Sequence, residues 1–193
     1  MAKKSAKKNT RKALLEKTTT LLAKTPGLSM KEIAEGVGVG RATLYRYFPT
    51  REELIREIAL ESIAQTNAAV APLKMGELDS RTYIKKMLKA IIPLGDRFHF
   101  LSSEKAAYED PDVTAQYNQQ LYNLAVLVDK AKREGVIALD IPTNWVISVL
   151  DALVWASWDS VYEGYTAQED IAEYAFRTLL EGVGPKEKQV TKK

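Results

Sequence analysis

Between Ser29 and Leu54 the chain reads Ser-Met-Lys-Glu-Ile-Ala-Glu-Gly-Val-Gly-Val-Gly-Arg-Ala-Thr-Leu-Tyr-Arg-Tyr-Phe-Pro-Thr-Arg-Glu-Glu-Leu, and few architectures accommodate that run. Ser29 with Glu32 three residues on is a capping box that opens a helix. Ile33 and Ala34 face inward, and Val37 and Val39 follow across a turn. In that turn Gly36 and Gly38 permit the positive φ of a tight helix–helix connection. A second short helix over about 40–47 points Leu44 and Phe48 toward a core and leaves Arg41, Thr43, Tyr45 and Arg46 outside. Pro49 ends it, because the residue before a proline is driven out of the α region. Thr50 and Glu53 form another capping box, opening a longer helix through Ile55, Ile58 and Ile63. This is a helix-turn-helix pattern, in which one helix braces and the next enters a DNA major groove.

The same residues resemble the DNA-binding domain of the tetracycline-repressor (TetR) family of bacterial transcriptional regulators. The family pattern runs Ile-Ala-x-x-Ala-Gly-Val-Ser-x-Gly-Thr-Leu-Tyr-x-Tyr/His-Phe, followed by a Lys/Arg-Glu-x-Leu helix start. This chain matches it at Ile33, Ala34, Gly38, Val39, Thr43, Leu44, Tyr45, Tyr47, Phe48, Arg51, Glu52 and Leu54. The resemblance covers roughly Ala13 to Leu60, under a third of the chain. Val37 replaces the usual alanine, Gly40 the usual serine cap and Ala42 the usual glycine. Glycine is an acceptable N-cap, weaker by only a few tenths of a kcal/mol or so. The departures therefore obscure the operator sequence more than the fold.

Within the second helix, Arg41 is placed to reach a guanine edge with two hydrogen bonds. Thr43 suits a thymine methyl or a phosphate, and the direction of Arg46 takes it toward the flank of the contact. Ser29 and Lys31 sit where exposed N–H groups at the start of the bracing helix can meet the DNA backbone. The resemblance further implies that Tyr45 and Tyr47 approach the backbone or groove edge and that Arg51 meets a phosphate. For either tyrosine, packing within the small domain is the competing role.

The charge of the chain is +3, but residues 1–56 hold 13 Lys/Arg against 5 Asp/Glu, a net +8, leaving −5 for the rest. A basic half that coincides with the helix-turn-helix points to phosphate binding. With 193 residues and 46% hydrophobic content, one or two domains can each bury a core. The absence of cysteine removes disulfides and thiolate metal sites. No apolar run reaches membrane-spanning length and no signal-peptide pattern appears, so the cytoplasm is the expected location.

Helical periodicity continues to the end and no alternating strand pattern of any length appears, which predicts an all-α chain of about nine helices. Residues 1–9 read as a basic flexible arm, 10–56 as the DNA-binding domain, 57–183 as a larger helical domain and 184–193 as a polar tail. Helix boundaries are predicted near 10–25, 80–92 with Tyr83, Ile84, Met87, Leu88 and Ile91 inward, and 97–108. Asp110-Pro111 opens a helix that stops at Gly135, and Thr143–Tyr162 is apolar nearly all round. Thr166 with Glu169 reads as a third capping box for the last helix.

A helix apolar on all sides needs cover beyond its own domain, and a reader with one short recognition helix needs a second copy to gain affinity and site length. Val146, Leu150, Leu153, Val154, Val161, Ile171 and Leu179 are the candidate residues of a homodimer interface, with a palindromic double-stranded operator as its counterpart. The resemblance implies the same four-helix pairing, and an effector cavity among the middle helices of the larger domain. Phe98, His99, Phe100, Tyr117, Tyr122, Trp155 and Trp158 are the candidate lining, suited to a small apolar or aromatic effector with a polar handle, although for any single one of them core or interface is the better reading. His99 is the only histidine, which supports neither a metal site nor a catalytic triad, and no cofactor is expected. Gly36, Gly38 and Gly40 lack the preceding strand of a phosphate-binding loop, and no Gly-x-Ser-x-Gly or His-Glu-x-x-His occurs. The expected function is a ligand-released repressor. The alternatives are a nucleoid or cell-division factor that answers to a protein partner and, behind it, an all-α enzyme.

Overall fold

The computed structural model describes residues 2–104, 107 and 109–184, and among them the regular structure is entirely helical. In chain order the α-helices are α1 (Ala2–Lys24), α2 (Met30–Gly36), α3 (Arg41–Tyr47), α4 (Arg51–Val70), α5 (Ser80–Ile91), α6 (Gly95–Ser103), α7 (Pro111–Arg133), α8 (Thr143–Tyr162) and α9 (Gln168–Val183). Short 3-10 turns at Ala71–Leu73 and Ile92–Leu94 follow α4 and α5.

Two compact units emerge: Met1–Ala68 with Leu94–Gln119, and Ala69–Pro93 with Gln120–Lys193. The division differs from the boundary at 56/57 suggested by the sequence, because α6 packs against α1 and so groups with the reader. The basic arm expected over 1–9 is also drawn differently, as helix from Ala2 onward. Its alanines and lysines are good helix formers, and neither proline nor glycine interrupts the run to Lys24. Beyond Gly184 the expected polar tail lies outside the described residues.

In the first unit, Leu14, Leu15, Leu22, Ile33, Ala34, Leu44, Phe48, Leu54, Ile55 and Ile58 are buried together with Phe100, Leu101 and Val113. Polar groups fix how these helices meet. Thr20 Oγ1 donates to Asp96 Oδ2 at 2.6 Å, joining α1 to the start of α6. The buried Asp96 also takes hydrogen bonds from the backbone N–H of Arg97 at 2.9 Å and from its Nη1 at 2.7 Å. Asp110 caps α7 as the sequence indicates, accepting from the N–H groups of Asp112 and Val113 at 3.0 and 3.1 Å. The Val113 bond, followed by the Arg56 guanidinium, holds the Asp110 carboxyl below its ordinary pKa.

In the second unit the inward face of α5 is the one its spacing predicts: Tyr83, Ile84, Met87, Leu88 and Ile91 are buried. They share the interior with Leu127, Val128, Val146, Leu150, Val154, Ile171, Ala175, Phe176 and Leu179. Glu134 from the end of α7 accepts the Ser80 N–H at 2.6 Å and so helps cap α5, and these Ser80 bonds lower its carboxyl pKa. Lys130 donates to the carbonyls of Met75 and Leu78, pinning the loop before α5. The third capping box does not form. Helix α9 begins at Gln168 with Ala167 as an uncapped N-cap, and the Thr166 hydroxyl lies 2.6 Å from that of Ser160 instead.

The turn between α2 and α3 closes as a Schellman motif: Val39 N–H donates to Ala34 O at 2.9 Å and Gly38 N–H to Glu35 O at 3.2 Å. Gly38 carries the positive φ, +79° being reserved for Gly27 and +75° for Gly38. Gly36 does not adopt a positive φ; it is helical, and a Cβ there would come within 2.6 Å of Leu21 Cδ2. The sequence therefore identified both glycines but only one of the two reasons. Gly38→Ala is expected to lower stability by about 1–2 kcal/mol, the cost of a left-handed alanine, measured as a reduced urea midpoint with an unchanged m-value.

Candidate nucleic-acid interface

The reader is built from caps outward. Ser29 Oγ accepts the Glu32 N–H at 3.3 Å, and Glu32 Oε2 takes the Ser29 N–H at 2.8 Å, so the capping box predicted from spacing is complete. The Ser29 hydroxyl also donates to this carboxylate at 2.6 Å, and this side-chain bond leads the causes that depress the Glu32 pKa. After the Schellman turn, Gly40 caps α3 with its backbone: its carbonyl accepts from Thr43 and Leu44 N–H at 2.9 and 3.1 Å. Thr50 Oγ1 then accepts the Glu53 N–H at 3.1 Å to open α4.

Helix α3 is held from behind by two fully buried side chains, Leu44 and Phe48, and Arg11 of α1 stacks over the Phe48 ring at 5.0 Å. Its outer surface carries Arg41, Ala42, Tyr45 and Arg46 exposed, with Thr43 and Tyr47 half-buried. Arg46 lies over the Tyr47 ring at 5.4 Å, so these two side chains form one flank of the helix. Ser29 and Lys31 are exposed at the start of α2. Seven of the eight residues proposed for DNA contact thus line the surface of one small head.

Arg51 is the exception. Its Nε donates to Leu28 O at 3.0 Å and its Nη2 to Glu104 Oε2 at 3.0 Å, so the guanidinium is engaged by protein groups where the family resemblance implies a phosphate. The sequence could not show this, because Glu104 lies more than fifty residues away and carries no motif.

An exposed, capped recognition helix on a braced three-helix head defines a helix-turn-helix DNA-binding regulator. Comparison with known proteins agrees: residues 15–58 match the profile of the bacterial regulatory proteins of the tetR family. The repressor LfrR of Mycolicibacterium smegmatis is 26% identical over 180 residues, 92% of each chain. A crystal structure of LfrR in complex with proflavine, at 24% identity, shares the fold with a TM-score of 0.67 over 94% of this chain and 99% of that one. The regulator NfxB of Pseudomonas aeruginosa is 21% identical over 88% of this chain and 91% of its own. The nucleoid occlusion factor SlmA of Salmonella typhi is 26% identical over 69% and 73%. Residues 15–58 thus carry a DNA-binding domain of the tetR type, the chain resembles TetR-family repressors along most of its length, and it is a DNA-binding transcriptional regulator.

The candidate effector residues fall in both units. In the first, Phe98, His99 and Tyr117 are half-buried, and Phe100 is a core residue with no exposed surface. In the second, Tyr122 is 65% exposed, whereas Trp155 and Trp158 stack at 5.1 Å and 22°. Tyr162, which the sequence did not single out, extends that stack with its ring 4.9 Å from Trp158. A hollow of about 210 Å³ beside it is lined by Ile92, Pro93, Trp158, Val161, Tyr162 and Gln168. A larger cleft of about 580 Å³, lined by Arg81, Glu134, Phe176, Arg177 and Leu180 among others, contains none of the expected residues.

The candidate dimer residues need correction. Val146, Leu150, Val154, Ile171 and Leu179 are buried within their own chain, and only Leu153 and Val161 keep partial exposure. Helix α8 has two apolar faces: Val146, Leu150 and Val154 lie on the buried one, and Ile171 and Leu179 lie on the buried face of α9, which packs against α8. The face left open carries Trp145, 60% exposed, with Ala152 and Ala156, while α9 exposes Tyr174 and Thr178. No helix is long and apolar enough to cross a membrane among the described residues. Removing the guanidinium with Arg41→Ala is expected to cost about 1–3 kcal/mol on the specific operator and little on random duplex; equal losses in paired titrations would deny it a base-reading role.

Proposed function

We propose that the protein is a cytoplasmic homodimeric repressor that binds a palindromic operator and leaves it when a planar, mostly apolar small molecule binds. The observation that carries the reading is α3, a seven-residue helix locked by Leu44 and Phe48 with Arg41, Tyr45 and Arg46 turned outward. Arg41 reads a base edge, Thr43 and Tyr45 add groove or phosphate contacts, and Ser29, Lys31, Arg46 and Tyr47 set the register on the backbone.

So short a helix reads only a few base pairs, and pairing two of them doubles the site. The open face of α8 suits that pairing. Trp145, Ala152 and Ala156 recur at helical spacing, and the small residues let a second helix approach closely while the indole supplies buried area. Tyr174 and Thr178 on α9 complete a four-helix contact. Selection from a random DNA pool is expected to return an inverted repeat with half-sites about 34–36 Å apart, or a multiple of that distance. Ala152→Glu is expected to give folded monomers by sedimentation with weak operator affinity. Val154→Asp, by contrast, places a charge in the core and should unfold the chain.

For the effector, the Trp155–Trp158–Tyr162 stack offers flat faces on which another ring can continue, and Gln168 offers a polar handle. The proflavine complex of LfrR supports a ligand of this shape. Calorimetric titration with proflavine is expected to show binding that Trp158→Ala weakens at least tenfold, and the ligand should release operator DNA in the same range. The similarity to SlmA favours a second reading, in which a protein partner replaces the ligand. Tight operator binding that no planar aromatic compound disturbs would decide for it.

A further inference from the structure

Part of the basic character of the reader half is already paired within the protein. Arg41 makes no ion pair among the described residues, and Arg46 only lies over Tyr47. Lys31 has a single exposed pairing with Glu35 at 4.0 Å. The two arginines at the start of α4 differ. Arg56 is paired with Asp110 at 2.7 Å and with Asp112 at 3.2 Å, and Arg51 with Glu104 at 3.0 Å. Their partners all come from the stretch between the end of α6 and the first turn of α7.

Glu104 is the most buried of those partners. It is the C-cap of α6 and only 8% exposed, so its charge is poorly screened by solvent and needs the guanidinium. Arg51, in turn, begins α4 four residues after the recognition helix ends, at a helix N-terminus of the kind that meets phosphates. A carboxylate and a phosphate present the same chemistry to a guanidinium: two oxygens, negative charge and a fork of acceptors. The same guanidinium also bonds Leu28 O, immediately before the Ser29 cap. It therefore ties the start of α2, the start of α4 and the end of α6 together within one unit.

We propose that Glu104 is a positioning residue that stands in for a DNA phosphate. It holds Arg51 on the protein and thereby lowers by one the number of phosphates the reader neutralises. Sequence-independent binding scales with that number, whereas the base contacts of Arg41 do not depend on Glu104. The carboxylate thus lowers the salt-dependent part of the affinity that operator and random DNA share. Any displacement of the end of α6 that withdraws Glu104 returns a full positive charge to the reader. The proposal rests on the DNA-binding role of the chain and not on the effector reading.

The test is a salt titration of the full chain on a random duplex, followed by anisotropy. Glu104→Gln keeps the length and an acceptor for Arg51 but removes the charge. The slope of log K against log salt is expected to steepen by about 0.9, and Glu104→Gln/Arg51→Gln is expected to return it to the wild-type value. A purely structural Glu104 would lower the melting temperature and leave the slope alone. A second measurement needs no variant: the NMR signal of the Arg51 side-chain Nε–H should stay in place when random duplex is added to the wild type. An unchanged slope in Glu104→Gln, or a shift of that signal on adding DNA, would overturn the proposal. Failure of the wild type to show any salt-sensitive binding to DNA would overturn the DNA-binding reading as well, so the two failures are distinguishable.

Discussion

The orientation of the recognition helix depends on two backbone hydrogen bonds at the end of α2. Val39 and Gly38 donate to Ala34 and Glu35, and they can do so only because Gly38 turns through a left-handed conformation. The turn leaves few soft dihedrals between the bracing helix and the reading one. Leu44 and Phe48 then convert that local geometry into a fixed face, since rotating α3 would expose both. Every outward residue of α3 owes its direction to this closure.

Behind the reader, α6 is fastened at both ends by carboxylates. Asp96 at its start is held by Thr20 of α1 and by Arg97, and Glu104 at its end by Arg51 of α4. Burying such groups gains little net stability, because desolvation offsets most of the attraction. Their value lies in direction: apolar contacts tolerate sliding, whereas a hydrogen bond of 2.6–3.0 Å does not. An element held this way moves as a unit or stays where it is.

Local chemistry was legible in the sequence wherever it was complete within a few residues. The Ser29–Glu32 box, the Asp110-Pro111 start, the Gly38 turn and the inward face of α5 follow from spacing alone. Thr166–Glu169 has the same spacing as Ser29–Glu32 and fails, because the Ser160 hydroxyl is close enough to compete for Thr166. The role of Arg51 was illegible for a different reason, as its partner is remote in sequence. Helix α8 shows the third limit. Periodicity counts apolar residues around a helix but does not say which face its own chain covers, so Val154 and Leu150 looked available when they are core. Trp145, at the margin of the pattern, proved to be exposed.

All three tryptophans of the chain lie on α8, at positions 145, 155 and 158. Two of them stack face to face, and the third stands in solvent on the open side. The tryptophan emission of the protein is therefore the emission of one helix, and it comes from a stacked pair and a single exposed indole. Tryptophan fluorescence thus reports on the two sides of α8 without any label, and the DNA-reading head contributes no tryptophan to it.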